Sequence, residues 1–96
     1  MKVYSVYILA SQKNGTLYIG RSENLANRIS DHKNKNVEGF TKRYDVTKLV
    51  YFENFDNAID AAEREKRLKK WKREWKIKLI QTSNADWQDL YYQLNK

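Results

Sequence analysis

Ninety-six residues give room for one domain with a single modest core, and with no cysteine and one histidine a disulfide framework, thiol catalysis, a thiolate zinc site and a histidine-rich metal cage are all excluded. Any metal would be a hard, carboxylate-bound ion of the magnesium or manganese type. The formal net charge of +7 is local: Arg64 to Lys78 holds nine basic residues against two acids, while the remainder carries ten of each sign, a distribution that suits a polyanionic partner.

No apolar run approaches about 18 residues and no leader pattern is visible, which gives the expectation of a soluble cytoplasmic protein with no membrane partner. Val3 to Ala10 is rich in β-branched and aromatic residues and reads as a strand. Asn14-Gly15 is a strong hairpin dipeptide, and Thr16 to Gly20 returns as the second strand, ended by Gly20. A first helix is expected from about Ser22, as N-cap, to Lys33. Lys33 to Thr47 has no sustained period and reads as a polar, mobile connection pivoting on Gly39, with Phe40 and Tyr44 as anchors. Lys48 to Glu53 is a largely apolar third strand, expected to be central. Asp56 or Asn57 caps a second helix, which breaks or continues near Lys72 into a further segment carrying Trp75, Ile77, Leu79 and Ile80. Thr82 to Asp86 is a turn, and Trp87 to Leu94 a short closing helix. The fold class is therefore α+β, a three-stranded and mainly antiparallel sheet flanked by helices in the order β-β-α-β-α-α. There is no repeat, low-complexity segment or linker, so residues 1–96 read as a single domain.

Two places carry chemistry. On the first helix Leu25, Arg28 and His32 share a face at helical spacing, setting a guanidinium beside an imidazole next to a tyrosine-bearing strand. The bland alternative is an arginine snorkelling over the core edge and a helix-end histidine favoured by the dipole. On the second helix Glu65 falls in the middle of the stripe formed by Ala58, Ala61, Ala62 and Leu68. A carboxylate there must be paired, protonated or bound to a cation, and Lys69, one turn on, is a ready ion-pair partner. Trp71 and Trp75 read as core or edge-of-core residues rather than base-stacking platforms.

Val6-Tyr7-Ile8 and Tyr18-Ile19-Gly20, followed by Leu25-x-x-Arg28-x-x-x-His32, Arg64-Glu65 and a closing Asn84-x-x-Trp87-x-Asp89-Leu90, resemble a GIY-YIG nuclease domain. The resemblance is to the small single-domain bacterial subgroup of UPF0213 type, related in fold to the incision domain of the repair nuclease UvrC. It departs from the family pattern at Val6, at Ser22 in place of threonine, and at Ala85 in place of proline. What the resemblance implies is DNA phosphodiester hydrolysis with one magnesium or manganese ion. Carried over, Glu65 would hold the metal, and Tyr18, with Tyr7 beside it, would orient or deprotonate water. Arg28 would clamp the phosphate, His32 would relay a proton, and Arg21 and Asn84 would bind phosphate or support the site. Lys42, Arg43, Lys66, Arg67, Lys70 and Arg73 are the candidate backbone contacts. The expected function is a structure-directed or weakly sequence-specific endonuclease of DNA repair or processing, with a monomer assumed and RNA as a further possible substrate. The alternatives are a nucleic-acid-binding module on the same fold with little turnover, and an interaction protein whose basic helix serves a protein partner.

Overall fold

The computed structural model describes residues 2–94. Strand β1, Tyr4–Ala10, pairs antiparallel with β2, Leu17–Ser22, on one side and with β3, Lys48–Phe55, on the other. The sheet order is therefore β2-β1-β3, and β1 rather than β3 is the central strand. The reason lies in the covering of both faces. Ser5 to Ala10 are all buried, so β1 shows a continuous apolar run, whereas β3 loses burial after Val50.

Helices lie on each face. Tyr7 and Leu9 point towards helix α1, Leu25–Lys33, and form one core cluster with Ile29, Val46 and Leu49. Val6, Ile8, Ala10 and Ile19 point the other way and pack with Val50, Ala61, Leu68, Ile80 and Trp87. The latter group includes residues of α3, Ala58–Lys70, and α4, Arg73–Ser83. This alternation follows from the period of two along a strand.

Several boundaries differ from the sequence expectation. Strand β2 runs through Gly20 to Ser22 because Tyr7, Val6 and Ser5 of β1 keep pairing with Gly20, Arg21 and Ser22. Helix α1 begins later, at Leu25. Asn24 is its cap, its side chain accepting from the Asn27 amide at 3.3 Å, while the Ser22 hydroxyl accepts from the Asn24 amide at 2.9 Å. The connection expected to be irregular contains a four-residue helix α2, Phe40–Arg43, entered through Gly39 at φ 104°. Asn57, not Asp56, caps α3, accepting from the Asp60 amide at 2.8 Å, worth about 1 kcal/mol. Of the two possibilities near Lys72 the chain takes the break: α3 ends at Lys70, with Trp71 and Lys72 extended at ψ 149° before α4.

Trp71 is half-buried and stands edge-on to Trp75, which is exposed. The closing segment is a 3₁₀ turn, Leu90–Gln93, rather than an α-helix. Trp87 before it is buried in the α3 and α4 cluster, with φ 55°. No helix among the described residues is long and apolar enough to cross a membrane.

Candidate active site

Tyr7 is central, and burial of its ring directs the hydroxyl across β2 at Gly20. A Cβ built on Gly20 would sit 2.5 Å from the Tyr7 hydroxyl oxygen and 3.0 Å from the Tyr18 ring, so only glycine permits this crossing. The rings of Tyr7 and Tyr18 lie 6.4 Å apart, and His32 of α1 lies 6.1 Å from the first and 5.6 Å from the second. The face shared by Leu25, Arg28, Ile29 and His32 on α1 is thus turned onto the β1–β2 hairpin.

The polar atoms in this cluster are paired in series. The Tyr7 hydroxyl lies 3.2 Å from His32 Nε2, and His32 Nδ1 lies 2.8 Å from the hydroxyl of Thr41 on α2. Burial, reinforced by the charge of Arg28, lowers the His32 pKa, against a smaller opposing pull from Asp31. A neutral ring can accept the Tyr7 proton at Nε2 only while Nδ1 keeps its own hydrogen towards Thr41. Burial pushes the Tyr7 phenol up to about 12, with the Arg28 guanidinium beside it offsetting part of that rise, and the charges of Tyr18 and Glu65 adding to it. Tyr7 is therefore held protonated near neutrality, and Tyr18, half-buried, is the phenol that borders the open side.

Glu65 of α3 lies on the opposite face of the sheet, beside Arg21 of β2, and its charge is felt by the Tyr7 phenol. Its carboxylate lies 3.6 Å from Arg21 Nε and 3.2 Å from Lys69 Nζ, and its side chain is 18% exposed. Arg28 is not among these partners, so the space between guanidinium and carboxylate is not closed by a direct ion pair. The ion pair with Lys69, one turn on, is formed as the sequence allowed, and Arg21 of β2 is a second partner. Among the described residues no group of three or more histidine, cysteine, aspartate or glutamate side chains forms a cage for an ion. Glu65 is a lone carboxylate flanked by Arg21 and Lys69, and would hold a hard ion of the magnesium type, which keeps much of its water and takes few protein ligands, in place of those cations.

The remaining candidates fall into five places. Arg21 is half-exposed beside Glu65, and Lys42 and Arg43 project from α2, with Lys42 paired to Glu38 at 3.0 Å. Lys66, Arg67 and Lys70 are exposed on the outer side of α3, turned about 100° or more from Glu65. Arg73 donates to the Asn14 and Gly15 carbonyls at 2.7 and 2.6 Å, clamping the hairpin turn. Asn84 is buried away from the cleft. Its amide group donates to the Val50 and Gln88 carbonyls at 3.1 and 2.9 Å, and its oxygen accepts from the Gln88 amide at 3.0 Å.

Residues that the sequence reading did not place in the site are Thr41, Lys76 and, as a wall of the cleft, Phe40. The only signal for Thr41 and Phe40 was their position just after Gly39 in an otherwise polar stretch. Lys76 stands beyond the α3–α4 break, so no single helical period relates it to Glu65 or Lys69.

Two tyrosines, an arginine and a histidine thus stand on one side of the sheet near its β2 edge, and a lone glutamate on the other. The family model described as the GIY-YIG catalytic domain matches residues 3–78, and the chain belongs to that family of nuclease domains. It is 37% identical over 90 residues to a UPF0213 protein of Clostridium perfringens, covering 94% of this chain and 96% of the relative. A UPF0213 protein of Pediococcus pentosaceus is 39% identical over 74 residues, 77% of each chain. The solution NMR structure of a UPF0213 protein from Bacillus halodurans superposes with a TM-score of 0.57 at 23% identity, covering 98% of both chains, which shows the shared fold.

Proposed function

We propose that this protein is a divalent-metal-dependent endonuclease that hydrolyses DNA phosphodiester bonds, directed by the structure of the DNA more than by its sequence. The observation that supports the reading is the gathering of Tyr7, Tyr18, Arg28 and His32 on one face of the β1–β2 hairpin, with Glu65 held beside Arg21 of β2, near enough for its charge to act on the Tyr7 phenol, and not paired to Arg28. A simple binding surface has no use for a carboxylate facing the phosphate. A magnesium or manganese ion held on Glu65 would supply positive charge to the phosphate and the departing oxygen.

The chain's own groups have distinct tasks in this reading. Tyr18 orients the attacking water and takes its proton, with cations close by to favour the transfer. The proton taken by Tyr18 goes to the departing sugar oxygen or to water on the open side, while His32, neutral and held by Thr41, accepts from the Tyr7 hydroxyl and keeps it protonated beside Tyr18. Arg28 stabilises charge on the non-bridging phosphate oxygens as water adds and the sugar oxygen leaves. Arg21 gives a second cation at the entrance. Repair or processing of DNA in the cytoplasm is the setting this chemistry suits.

The test is nicking of plasmid and branched oligonucleotides with and without magnesium or manganese, with an RNA arm. Glu65→Ala should abolish cleavage while binding stays the same or tightens, because a negative charge near the phosphate is removed. Arg28→Ala should lose about 2–4 kcal/mol of transition-state stabilisation, a fall of roughly 10²–10³ in turnover. Metal-dependent nicking undiminished in Glu65→Ala would overturn the assignment, and binding without any cleavage would leave a nucleic-acid-binding module.

A further inference from the structure

Along the outer edge of β2 runs a cleft of about 310 Å³, lined by Leu17, Tyr18, Ile19 and Phe40 and by Lys69 and Lys76. This is the lower end of the ~300–1,000 Å³ range of small-ligand sites, enough for one nucleoside-sized group. Its aromatic wall extends beyond what the core needs. Phe40 is 45% exposed yet stacks on Tyr18 with centroids 6.2 Å apart and planes at 27°. Tyr44, 49% exposed, leans on Phe40 at 4.9 Å, and the Arg43 guanidinium lies 5.7 Å from the Tyr44 ring. Two large rings held in water at the end of a four-residue helix contribute little to stability.

The charge lining the cleft is positive, with the Glu65 carboxylate behind it pairing to Lys69 at 3.2 Å. Lys69 and Lys76 are its ionisable rim, Lys76 pointing its ammonium towards the Lys69 carbonyl at 3.5 Å. Burial, with Arg73 nearby, lowers the Lys76 pKa, so an anion there would relieve a cation that is short of solvent. An aromatic face beside two ammonium groups matches a group that is flat at one end and anionic at the other.

We propose that this cleft takes one unpaired nucleotide of the DNA, its base stacked on Phe40 and its phosphate on Lys69 and Lys76. Tyr18 is a wall both of this cleft and of the candidate active site, so the unpaired nucleotide stands next to the scissile bond. A base inside a continuous duplex has both faces covered and cannot make this contact. Stacking on a ring tolerates any base, which agrees with a substrate choice set by DNA structure. The position of the nucleotide beside the scissile bond rests on the nuclease reading; the existence of the nucleotide site does not.

The test reads binding alone, by fluorescence anisotropy of the wild-type protein in EDTA at one fixed salt concentration. Three labelled DNAs are compared: a continuous duplex, the same duplex with one bulged nucleotide, and that bulge made abasic. The bulged duplex should bind roughly 5- to 100-fold more tightly than the continuous one, the range expected for one base on one aromatic ring. The abasic bulge should lose that preference. Phe40→Ala should bring the ratio close to one, and Phe40→Trp should keep it. Because the readout is a ratio on one protein sample, a partly unfolded variant lowers both affinities and does not mimic the result. Equal affinity for all three DNAs, an abasic bulge bound as tightly as the intact one, or a ratio unchanged in Phe40→Ala would overturn the proposal. Failure of the nuclease reading would show separately, as absent metal-dependent nicking with the bulge preference intact.

Discussion

His32 is a base that its surroundings keep uncharged, and that has a consequence for stability. Its pKa is lowered below the ordinary 6.5 by burial first and by the Arg28 charge second. The unfolded chain therefore binds the proton more readily than the native one. The contribution of the neutral ring to stability is complete above the unfolded value and is lost as pH falls through it towards the depressed native value. Between about pH 7.5 and 5.5 the melting temperature should fall, and His32→Gln should flatten that fall when the two proteins are melted side by side. Glu53 does not blur the window. Burial raises its pKa, but hydrogen bonds from Arg64 and Tyr51 outweigh that and hold it below the usual carboxylate value of 4.5, so its loss comes at lower pH.

Helix α3 works as an element because neighbouring residues point to opposite flanks of its buried stripe. Arg64 turns to the β3 side, donating twice to Glu53 at 2.8 Å, and its guanidinium lies 5.1 Å from the Trp71 ring. Glu65, one residue on, turns to β2 and the cleft. The rotation of the whole helix is thereby pinned on one flank, while the other flank presents Glu65 to Arg21 of β2. The C-terminal segment is a second such element. Asn84 bonds Val50 and Gln88, and Asp89 accepts from the Leu49 and Tyr91 amides at 3.2 and 3.1 Å while pairing with Lys33. Asn84→Ala leaves buried partners unsatisfied and should cost about 2–3 kcal/mol in denaturant unfolding. Its turnover, measured well below the melting temperature, should match the wild type; a folded but inactive Asn84→Ala protein would instead tie this residue to the site.

The molecule as a whole has a three-stranded sheet with two edges treated differently. The β3 edge is covered by the Asn84–Asp89 stitches, while the β2 edge opens onto Tyr18, Phe40, Lys69 and Lys76. An uncovered edge is a liability unless something uses it, and here it borders the candidate site. The basic segment is split by the same geometry. Lys69 and Lys76 face the cleft, whereas Lys66, Arg67 and Lys70 face away from it. If DNA lies across the β2 edge, Lys69→Gln with Lys76→Gln should flatten the dependence of log affinity on log salt by about two units. Neutralising Lys66, Arg67 and Lys70 together should change the slope by less than about one unit. A larger effect from the outer set, in the same salt titration, would move the DNA to the other side of α3.

The sequence by itself determined the three strands, the Asn14-Gly15 hairpin and the family, because each rests on local periodicity, turn chemistry or ordered short motifs, while whether the helix breaks near Lys72 was left to the structure. It also marked Arg28 and His32 as sharing a face, and Glu65 as out of place on an apolar stripe. Strand order was not legible: β1 and β3 are both apolar runs, and only the covering of β1 on both sides by helices makes it central. Nor were the roles of the cations. Arg73 and Asn84 look like ligand-binding residues in a list, but the fold spends the hydrogen bonds of both on backbone carbonyls. Lys69, Lys76 and Phe40 look like an ion-pair partner, a patch lysine and a loop anchor, and become one cleft because β2 ends the sheet between them. Helical and strand periods act over a few residues, whereas a cleft is made by segments far apart in the chain, so its lining was decided by the tertiary structure alone.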